Sequence, residues 1–459
     1  MAVITIDRTK AAGEIKRMNC VNNGPPFPGG RLSPTFFDAY RDAVIPYARN
    51  HDASFFTGYG GEHIVDVHRI FKNFAADEND PASYIFEPTD AYVENTYRAG
   101  TKVFYRLGAS IEHDYKYGTR VPPDAAKWAR ICEHIIRHYN EGWANGFHFG
   151  IEYWEIWNEP DCRNADGSNP CWQGTEEEFI ELYRVTSRHL KSCFPDLKIG
   201  GPAFCSSDPI PFRRDFLDTV AAQGLPLDFY SYHWYGSTPE SFRDCVRTAR
   251  RELDRRGLTK TETVLNEWNY IRGWSGDLWL YSLETEKNLK GSSFIAAVLA
   301  TAQANPLDML MYCDARPCGM NGLFGAKGRG FECLKGYYPF AAFRDLRALG
   351  TWIPTDDGDG EIYSCAATDM DGKAAAVMVT YYADDEENER PEKEIGLRFE
   401  GFPKDCEAEV RVLDGEDDLR LTSTQRFAAD SFTVWLRLKL YTTAEVKITP
   451  RCPDVDREK

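Results

Sequence analysis

The sequence lacks the cysteine and histidine spacings on which common metal sites are built. Its 13 Cys include no CxxC pair, which argues against a zinc ribbon or finger. Its 9 His include no HExxH motif, and no HxH follows the first strand-like segment. No GxGxxG loop and no P-loop follow that segment, which argues against a nucleotide fold. We therefore expect neither a metal nor a cofactor.

The chain also lacks an excess of positive charge and any long apolar run. Its formal net charge is −17, so we expect no nucleic acid and no anionic membrane surface as a partner. No run of about 18 apolar residues would span a bilayer. Residues 1–17 do not show the basic and apolar segments of a secretory signal. We therefore expect a soluble, cytoplasmic protein.

The cysteines are odd in number and scattered along the chain. Cys162 and Cys171 lie close together in one loop, and Cys313 and Cys318 in another, so either pair could form a disulfide in an oxidising compartment. The even scatter of the remaining cysteines favours free thiols in a reducing cytosol.

From about residue 15 to residue 345, short apolar segments alternate with longer segments of helical spacing. Eight such repeats fit either a doubly wound open sheet or a closed barrel. The count of eight and the polar residues directly after the strands favour the barrel, because barrel active sites lie at that end of the strands. We predict an α/β fold with a (β/α)8 TIM barrel at 15–345. One of its helices should begin with a capping box of Thr175 and Glu178.

After about residue 350 the pattern changes to short alternating segments separated by turns rich in Asp, Gly, Glu and Pro. This pattern is typical of an antiparallel β-sandwich. We predict a smaller sandwich domain at 350–451. The N-terminal strand at 2–8 precedes the first barrel strand, so we expect it to join the sandwich.

Two apolar strands each end in an Asn-Glu pair. In YWEIWNEPD, at 153–161, Pro160 cannot continue the strand, so Glu159 stands at its tip. In ETVLNEWNY, at 262–270, Glu267 follows Asn266 in the same way. These are the fourth and seventh predicted strands, which face each other across the mouth of an eight-stranded barrel.

A pair of carboxylates at that position has the chemistry that cleaves a glycosidic bond. One protonates the leaving oxygen while the other acts at the anomeric carbon or on water. A carboxyl separation of about 5–5.5 Å gives retention of configuration, and about 6.5–9.5 Å gives inversion. Repulsion keeps one carboxyl protonated by raising its pKa. The sequence leaves the separation open.

With these motifs the chain resembles glycoside hydrolase family 39, whose members are retaining (β/α)8 glycosidases. The resemblance runs from about residue 15 to residue 345. It rests on WNEP at 157–160, GTEEEFIELY at 174–183, KIGGPA at 198–203, the His and Tyr of SYHWYG at 231–236, and RNHD at 49–52.

The resemblance implies a role for each matching residue. Glu159 would be the general acid/base and Glu267 the nucleophile. Asn158 would bind the sugar 2-hydroxyl, and Tyr235 would donate a hydrogen bond to Glu267. His51 and His233 would contact sugar hydroxyls.

Other candidate binding residues rest on position alone. They follow barrel strands or stand beside the catalytic motifs, and they are Asn23, His113, Trp172, Trp268, Asp314 and Arg316. Trp172 and Trp268 could be stacking platforms or core residues. Asp314 and Arg316 could form an ion pair or read a polar or charged sugar. Glu155 shares the inward face with Glu159, and we expect it to be buried against a barrel arginine such as Arg106.

The resemblance implies an exo-acting retaining hydrolase of oligosaccharides, with β-D-xylosidase as the first expectation. The alternatives are other exo-glycosidases, namely α-L-arabinofuranosidase, β-glucosidase, β-mannosidase and α-L-iduronidase. A barrel that binds carbohydrate without cleaving it is a further alternative. The sequence also leaves a homo-oligomeric state open.

Overall fold

The computed structural model describes residues 2–25, 36–51, 63–112, 116–316, 319–327, 330–356, 360–384 and 390–451. His113 and Cys318 lie outside the described residues, and so the predictions made for them find no structural counterpart.

In chain order the described strands are β1 (Ala2–Asp7), β2 (Arg17–Asn22), β3 (Tyr47–Asn50), β4 (Lys102–Leu107), β5 (Tyr153–Ile156), β6 (Lys198–Phe204), β7 (Phe229–Gly236), β8 (Glu262–Tyr270), β9 (Met309–Tyr312), β10 (Phe324–Lys327), β11 (Gly330–Cys333), β12 (Thr351–Ile353), β13 (Ile362–Thr368), β14 (Ala375–Tyr381), β15 (Lys393–Glu400), β16 (Cys406–Leu413), β17 (Asp418–Phe427), β18 (Ser431–Leu438) and β19 (Thr443–Pro450). The α-helices are α1 (Phe37–Asp42), α2 (Val67–Ile70), α3 (Glu87–Arg98), α4 (Ala125–Glu141), α5 (Glu176–Cys193), α6 (Pro211–Gln223), α7 (Pro239–Asp254), α8 (Gly276–Thr285), α9 (Leu289–Gln303) and α10 (Tyr337–Leu349). Of the helices in the described ranges, none combines the length and the apolar character needed to traverse a bilayer.

Strands β2 to β9 form a closed parallel barrel, which confirms the predicted fold class. Side chains near the starts of these strands fill its interior with an apolar layer made of Cys20, Tyr47, Phe104, Tyr153, Phe229, Val264, Met309 and Met311. The layer closes the bottom of the barrel, as interior packing does in this fold. The polar residues around Arg49 lie beyond this layer, toward the end where the strands finish.

Helix α5 begins where the sequence predicts. Thr175 caps the helix by accepting a hydrogen bond from the backbone N–H of Glu178, and the Glu178 carboxylate accepts one from the backbone N–H of Thr175. The capping box is thus confirmed, and it fixes the end of the long loop that follows Glu159.

The C-terminal region forms two sheets packed around one apolar core. One sheet has the strand order β12-β13-β14-β19-β16-β17 and the other has the order β1-β15-β18. Strand β1 joins β15 in a parallel pairing, whereas the remaining pairings in these sheets are antiparallel. The N-terminal strand therefore pairs with the C-terminal sheets and not with the barrel.

The sandwich holds two of the loops that follow barrel strands. Asp384, just after β14, accepts hydrogen bonds at 2.8 Å from Tyr270 Oη and Arg272 Nη2 at the end of β8. Lys290 on α9 lies 2.7 Å from the same carboxylate. Tyr382 Oη donates to the carbonyl of Ser237 after β7, at 2.5 Å. The two strands that carry Tyr235 and Glu267 are thereby braced from outside the barrel.

Candidate active site

Glu159 stands at the tip of β5, as the sequence predicts. Strand alternation points Glu155 into the barrel and Trp154 and Ile156 outward into the core. Trp157 and Glu159 then adopt positive φ angles of 79° and 47°. This left-handed backbone is strained for residues with a Cβ, and such strain clusters at functional sites. It ends the strand and turns the Glu159 side chain into the mouth of the barrel.

Glu267 points into the barrel because β8 is irregular at this position. Regular alternation would send Asn266 and Glu267 to opposite faces. The pairing of β8 shifts register against both of its neighbours between Leu265 and Trp268, and the shift turns both side chains inward. Trp268 consequently points outward.

The two glutamates face each other across the mouth. One carboxylate oxygen from each, together with a ring nitrogen of His233, lies within 4.8 Å of the others. Glycosidases show two ranges of carboxyl separation, about 5–5.5 Å and about 6.5–9.5 Å, and the present separation corresponds to the shorter one. A water molecule does not fit between a sugar carbon and a base at such a distance, and so the geometry favours a retaining mechanism.

Arg49, from β3, connects the polar residues beneath the mouth. Its Nη1 donates to Glu267 Oε1 at 2.8 Å and its Nη2 donates to Asn158 Oδ1 at 2.7 Å. Its Nε donates to Glu155 Oε2 at 2.6 Å, and Asn22 Oδ1 accepts a further bond from Nη1 at 3.2 Å. The guanidinium is fully buried, so its charge is balanced by these two carboxylates.

These bonds also orient Asn158. Because Arg49 carries only donors, the atom of Asn158 that it meets must be the amide oxygen. The amide Nδ2 is then the group available to a ligand, as a contact to a sugar hydroxyl requires.

Glu267 receives two further contacts that keep its negative charge in place. Tyr235 Oη donates to Oε2 at 2.8 Å, which is the contact that the family resemblance implies. His51 Nε2 lies 3.5 Å from Oε1. Arg106 Nε donates to His51 Nδ1 at 3.2 Å, so the ring proton resides on Nε2 and faces Glu267. Burial, followed by the charges of Arg49 and Arg106, holds the pKa of His51 well below its usual value.

His233 lies between the two glutamates. Its Nδ1 is 2.7 Å from Glu159 Oε1 and 3.5 Å from Glu267 Oε2. Burial opposes a charge on this ring, but the carboxylates of Glu267 and Glu159 outweigh it and raise the pKa of His233. The ring thus contacts both carboxylates directly, in addition to any contact with a sugar.

The two glutamates differ in the groups that surround them. Burial raises the pKa of Glu159 to about 7, the proximity of Glu267 adds to the increase, and His233 opposes it. Glu267 instead receives strong donors from Arg49 and Tyr235. Glu159 is therefore suited to hold a proton near neutral pH, whereas Glu267 is held in place by donors, which is the division of roles in an acid/nucleophile pair.

Glu155 is buried against a barrel arginine, as expected, but this arginine is Arg49 and not Arg106. Arg106 lies in register with Glu155, but Asp66 Oδ1 and Ser110 Oγ accept its Nη2 donors at 2.5 Å and 2.9 Å. Glu155 is paired with Arg49 instead, and Ser231 Oγ donates to its Oε1 at 2.6 Å. The loops after β3 and β4 thus draw Arg106 away from the barrel axis.

Trp172 and Trp268 both lie in the core, which is the second of the two alternatives drawn from the sequence. Trp268 points outward from β8 and packs against Phe242 and Tyr312. Trp172 is buried edge-to-face against Trp157, and its Nε1 donates to the Thr175 carbonyl. A ring enclosed in this way has no face left for a ligand.

Asp314 and Arg316 form an ion pair beside the site, with Arg316 Nη2 at 2.7 Å from Asp314 Oδ2. Asn23 Nδ2 donates to the same oxygen at 3.1 Å, and Tyr92 Oη donates to Asn23 Oδ1. This is the structural one of the two alternatives drawn from the sequence. Asn23, Asp314 and Arg316 bind one another here, and a role in sugar binding stays a prediction.

Two residues at the site were not predicted from the sequence, namely Arg49 and Trp274. Arg49 lay within the quoted RNHD segment, but no role was drawn for it, because nothing local shows that its side chain reaches β5 and β8. Trp274, in the β8–α8 loop, is 60% exposed. Its ring lies edge-on to Tyr235 at 5.0 Å and is stacked on Trp279 at 5.6 Å. An exposed tryptophan held by two aromatic neighbours next to a site is a signal for a ligand platform.

Cysteine side chains lie next to Glu159. The Cys171 thiol donates to Glu159 Oε2 at 3.8 Å. Cys162 is a free thiol, so the possible disulfide between Cys162 and Cys171 is not formed, in line with the preference for thiols.

Fold and site together define a (β/α)8 barrel with paired carboxylates at the ends of its fourth and seventh strands. Residues 53–264 match the model of glycosyl hydrolases family 39. The match spans somewhat less than half of the chain, and it agrees with the family resemblance of the motifs. The matched region includes Glu159 and ends just before Glu267, so the second carboxylate is identified by its position in the barrel.

Two curated proteins and a solved structure are similar to this chain. A β-xylosidase from Caldicellulosiruptor saccharolyticus is 27% identical over 210 residues, which cover 41% of this chain and 41% of that protein. A β-xylosidase from Geobacillus stearothermophilus is 31% identical over 166 residues, covering 34% and 30%. The alignments thus span less than half of the length of these curated relatives. A glucosidase structure from Croceicoccus marinus has the same fold, with a TM-score of 0.76, 22% identity and coverage of 98% and 100%.

Replacing Arg49 tests its role at the centre of the site. We expect Arg49→Met to lower the free energy of unfolding by about 3–5 kcal/mol, because it leaves buried carboxylates without their counter-charge. Denaturant titration measures this change. Arg41→Met is the control, since Arg41 is half exposed and its ion pair should contribute under about 1 kcal/mol. Equal losses in both variants would contradict the assigned role.

Proposed function

We propose that the protein is a retaining glycoside hydrolase that cleaves oligosaccharides by double displacement, with Glu159 as acid/base and Glu267 as nucleophile. The observation that carries this proposal is the separation of the two carboxylates, which have oxygens within 4.8 Å of each other in opposite electrostatic surroundings. A barrel that only bound sugar would need neither the short separation nor the asymmetry.

In the first step, Glu159 gives its proton to the glycosidic oxygen while Glu267 attacks the anomeric carbon. The carbon–oxygen bond to the leaving group breaks, and a covalent glycosyl-enzyme ester forms. Arg49 and Tyr235 hold the Glu267 carboxylate at its two oxygens, so it can approach the carbon without a change of rotamer. The Asn158 amide is oriented by Arg49 to meet the 2-hydroxyl.

In the second step, Glu159 is a carboxylate and takes a proton from water. The water oxygen bonds to the anomeric carbon, Glu267 departs, and the configuration is retained after two inversions. His233 lies against both carboxylates, so its positive charge balances whichever of the two is ionised at each stage.

The sugar we propose is β-D-xylose, released from the end of an oligosaccharide. Two relatives carry the name β-xylosidase, and this supports the choice within the chemistry that the carboxylate pair permits. We further propose that Trp274 is a platform for the leaving group. Trp274 is exposed, and its neighbour Tyr235 contacts the nucleophile. A leaving-group ring stacked on Trp274 would therefore lie beside the reacting bond.

A panel of aryl glycosides tests both the reaction and the sugar. We expect hydrolysis of the β-D-xyloside above the α-L-arabinofuranoside, β-D-glucoside, β-D-mannoside and α-L-iduronide. Glu267→Ala should lose activity by at least about 10⁴-fold, because the covalent step has no other nucleophile. Activity that survives in Glu267→Ala would sink the nucleophile assignment, and faster cleavage of another glycoside would replace xylose.

The pKa of Glu159 predicts a pH dependence. Glu159 must carry a proton to act as acid, so kcat/KM should fall as the pH rises through about 7. The His233 charge lowers this pKa, and His233→Gln should therefore move the fall to higher pH. Both effects are measured as pH–rate profiles with a xyloside whose leaving group needs protonation. A profile that His233→Gln leaves in place, or moves to lower pH, would contradict the coupling of the two side chains.

Trp274→Ala tests the leaving-group platform. We expect KM for an aryl xyloside to rise about fivefold, the equivalent of about 1 kcal/mol of stacking. The KM for xylosyl fluoride should stay constant, because fluoride has no ring to stack. Trp435→Ala is the matched control, since Trp435 is 47% exposed on β18 in the sandwich. Equal changes for the two substrates would refute the platform.

A further inference from the structure

Three cysteine side chains converge on the acid/base glutamate. Cys162 and Cys171 lie in the loop between β5 and α5, and Cys205 directly follows β6. One oxygen of Glu159 and the sulfurs of Cys162 and Cys205 lie within 4.8 Å of one another. Cys171 Sγ is 3.8 Å from Glu159 Oε2. We call Cys162, Cys171 and Cys205 the thiol cluster. The double displacement requires no thiol, so the cluster needs another explanation.

The distances in the thiol cluster are close to those of a metal site. A tetrahedral Zn²⁺ ion holds sulfur ligands at about 2.3 Å, which places two of them about 3.8 Å apart. The sulfurs of Cys162 and Cys205 lie within 4.8 Å of each other, which is within about 1 Å of that separation. Thiolates prefer soft or borderline cations, and a carboxylate oxygen can complete the coordination sphere.

The cluster is also accessible to a cation. Glu159, Cys162 and Cys205 are each half-buried, so an ion from solution can reach them.

We propose that Glu159, Cys162 and Cys205 bind a soft divalent cation such as Zn²⁺ or Cd²⁺, with Cys171 in reach of the fourth position. A cation held by Glu159 occupies the carboxylate that must carry the proton, so the bound ion inhibits glycoside cleavage. Binding itself is independent of the proposed function, and only the inhibition rests on it.

A second group of potential ligands provides the control. Glu133, His189 and Cys193 also lie within 4.8 Å of one another, on the helices α4 and α5 and away from the barrel mouth. Cys193 is half-buried, like Cys162. A cation that bound only there would leave Glu159 untouched.

The test is a Cd²⁺ titration of the full-length protein, reduced and freed of reductant, followed by the ultraviolet charge-transfer absorption of cadmium–thiolate bonds. We expect a saturable band that a chelator reverses. Cys162→Ser and Cys205→Ser should weaken the apparent affinity by at least about tenfold, because each removes a ligand. Cys193→Ser should leave it unchanged. No band in the native protein, or a band lost only in Cys193→Ser, overturns the proposal.

Hydrolysis of an aryl glycoside is measured on the same samples with and without Zn²⁺. Inhibition of the native protein and of Cys193→Ser, with at least about tenfold weaker inhibition of Cys162→Ser, supports the proposal. Equal inhibition of Cys162→Ser and the native protein overturns it. A cadmium band in a protein that cleaves no glycoside even without metal supports the cation site while it removes the proposed function.

Discussion

The guanidinium of Arg49 is the interaction on which the arrangement of the active site depends. Four polar groups from three barrel strands or their ends meet it, namely Asn22, Glu155, Asn158 and Glu267. A buried cation is unfavourable unless it is paired and hydrogen-bonded, and Arg49 meets both conditions. The same bonds fix Glu267 against the barrel wall and turn the Asn158 amide outward. Arg49 thus determines both the charge balance of the barrel interior and the geometry of the reacting groups.

Around this centre, departures from regular structure place the two glutamates. The register shift in β8 brings Asn266 and Glu267 to the same face, and positive φ angles at Trp157 and Glu159 end β5 sharply. Both features would be unfavourable in an isolated strand, and they persist because the surrounding fold determines them. The sandwich contributes through Asp384, which accepts hydrogen bonds from Tyr270 and Arg272 at the end of β8, the strand that carries Glu267. The accessory sheets are therefore connected to the catalytic strand.

The sequence predicts those parts of the molecule that depend on local pattern. Strand and helix alternation gives the barrel, and an apolar strand that ends in Asn-Glu-Pro locates Glu159. Trp268 takes the core alternative because the register shift in β8 reverses which side chains point outward, and nothing local signals the shift. The pairing of Glu155 with Arg49, and not with Arg106, is equally invisible in the local sequence. It depends on Asp66, which is distant in sequence and binds Arg106.

In the proposed mechanism, Glu267 attacks the sugar while Glu159 transfers protons. The most direct measurement is mass spectrometry of the protein after incubation with a 2-deoxy-2-fluoro-β-xyloside that has a reactive leaving group, followed by peptide mapping. The slowed second step should leave one sugar bound as an ester on the peptide that contains Glu267. Attachment to Glu159 or to another residue would contradict the account. A protein that hydrolyses the xyloside with inversion and never forms an adduct would contradict it as well.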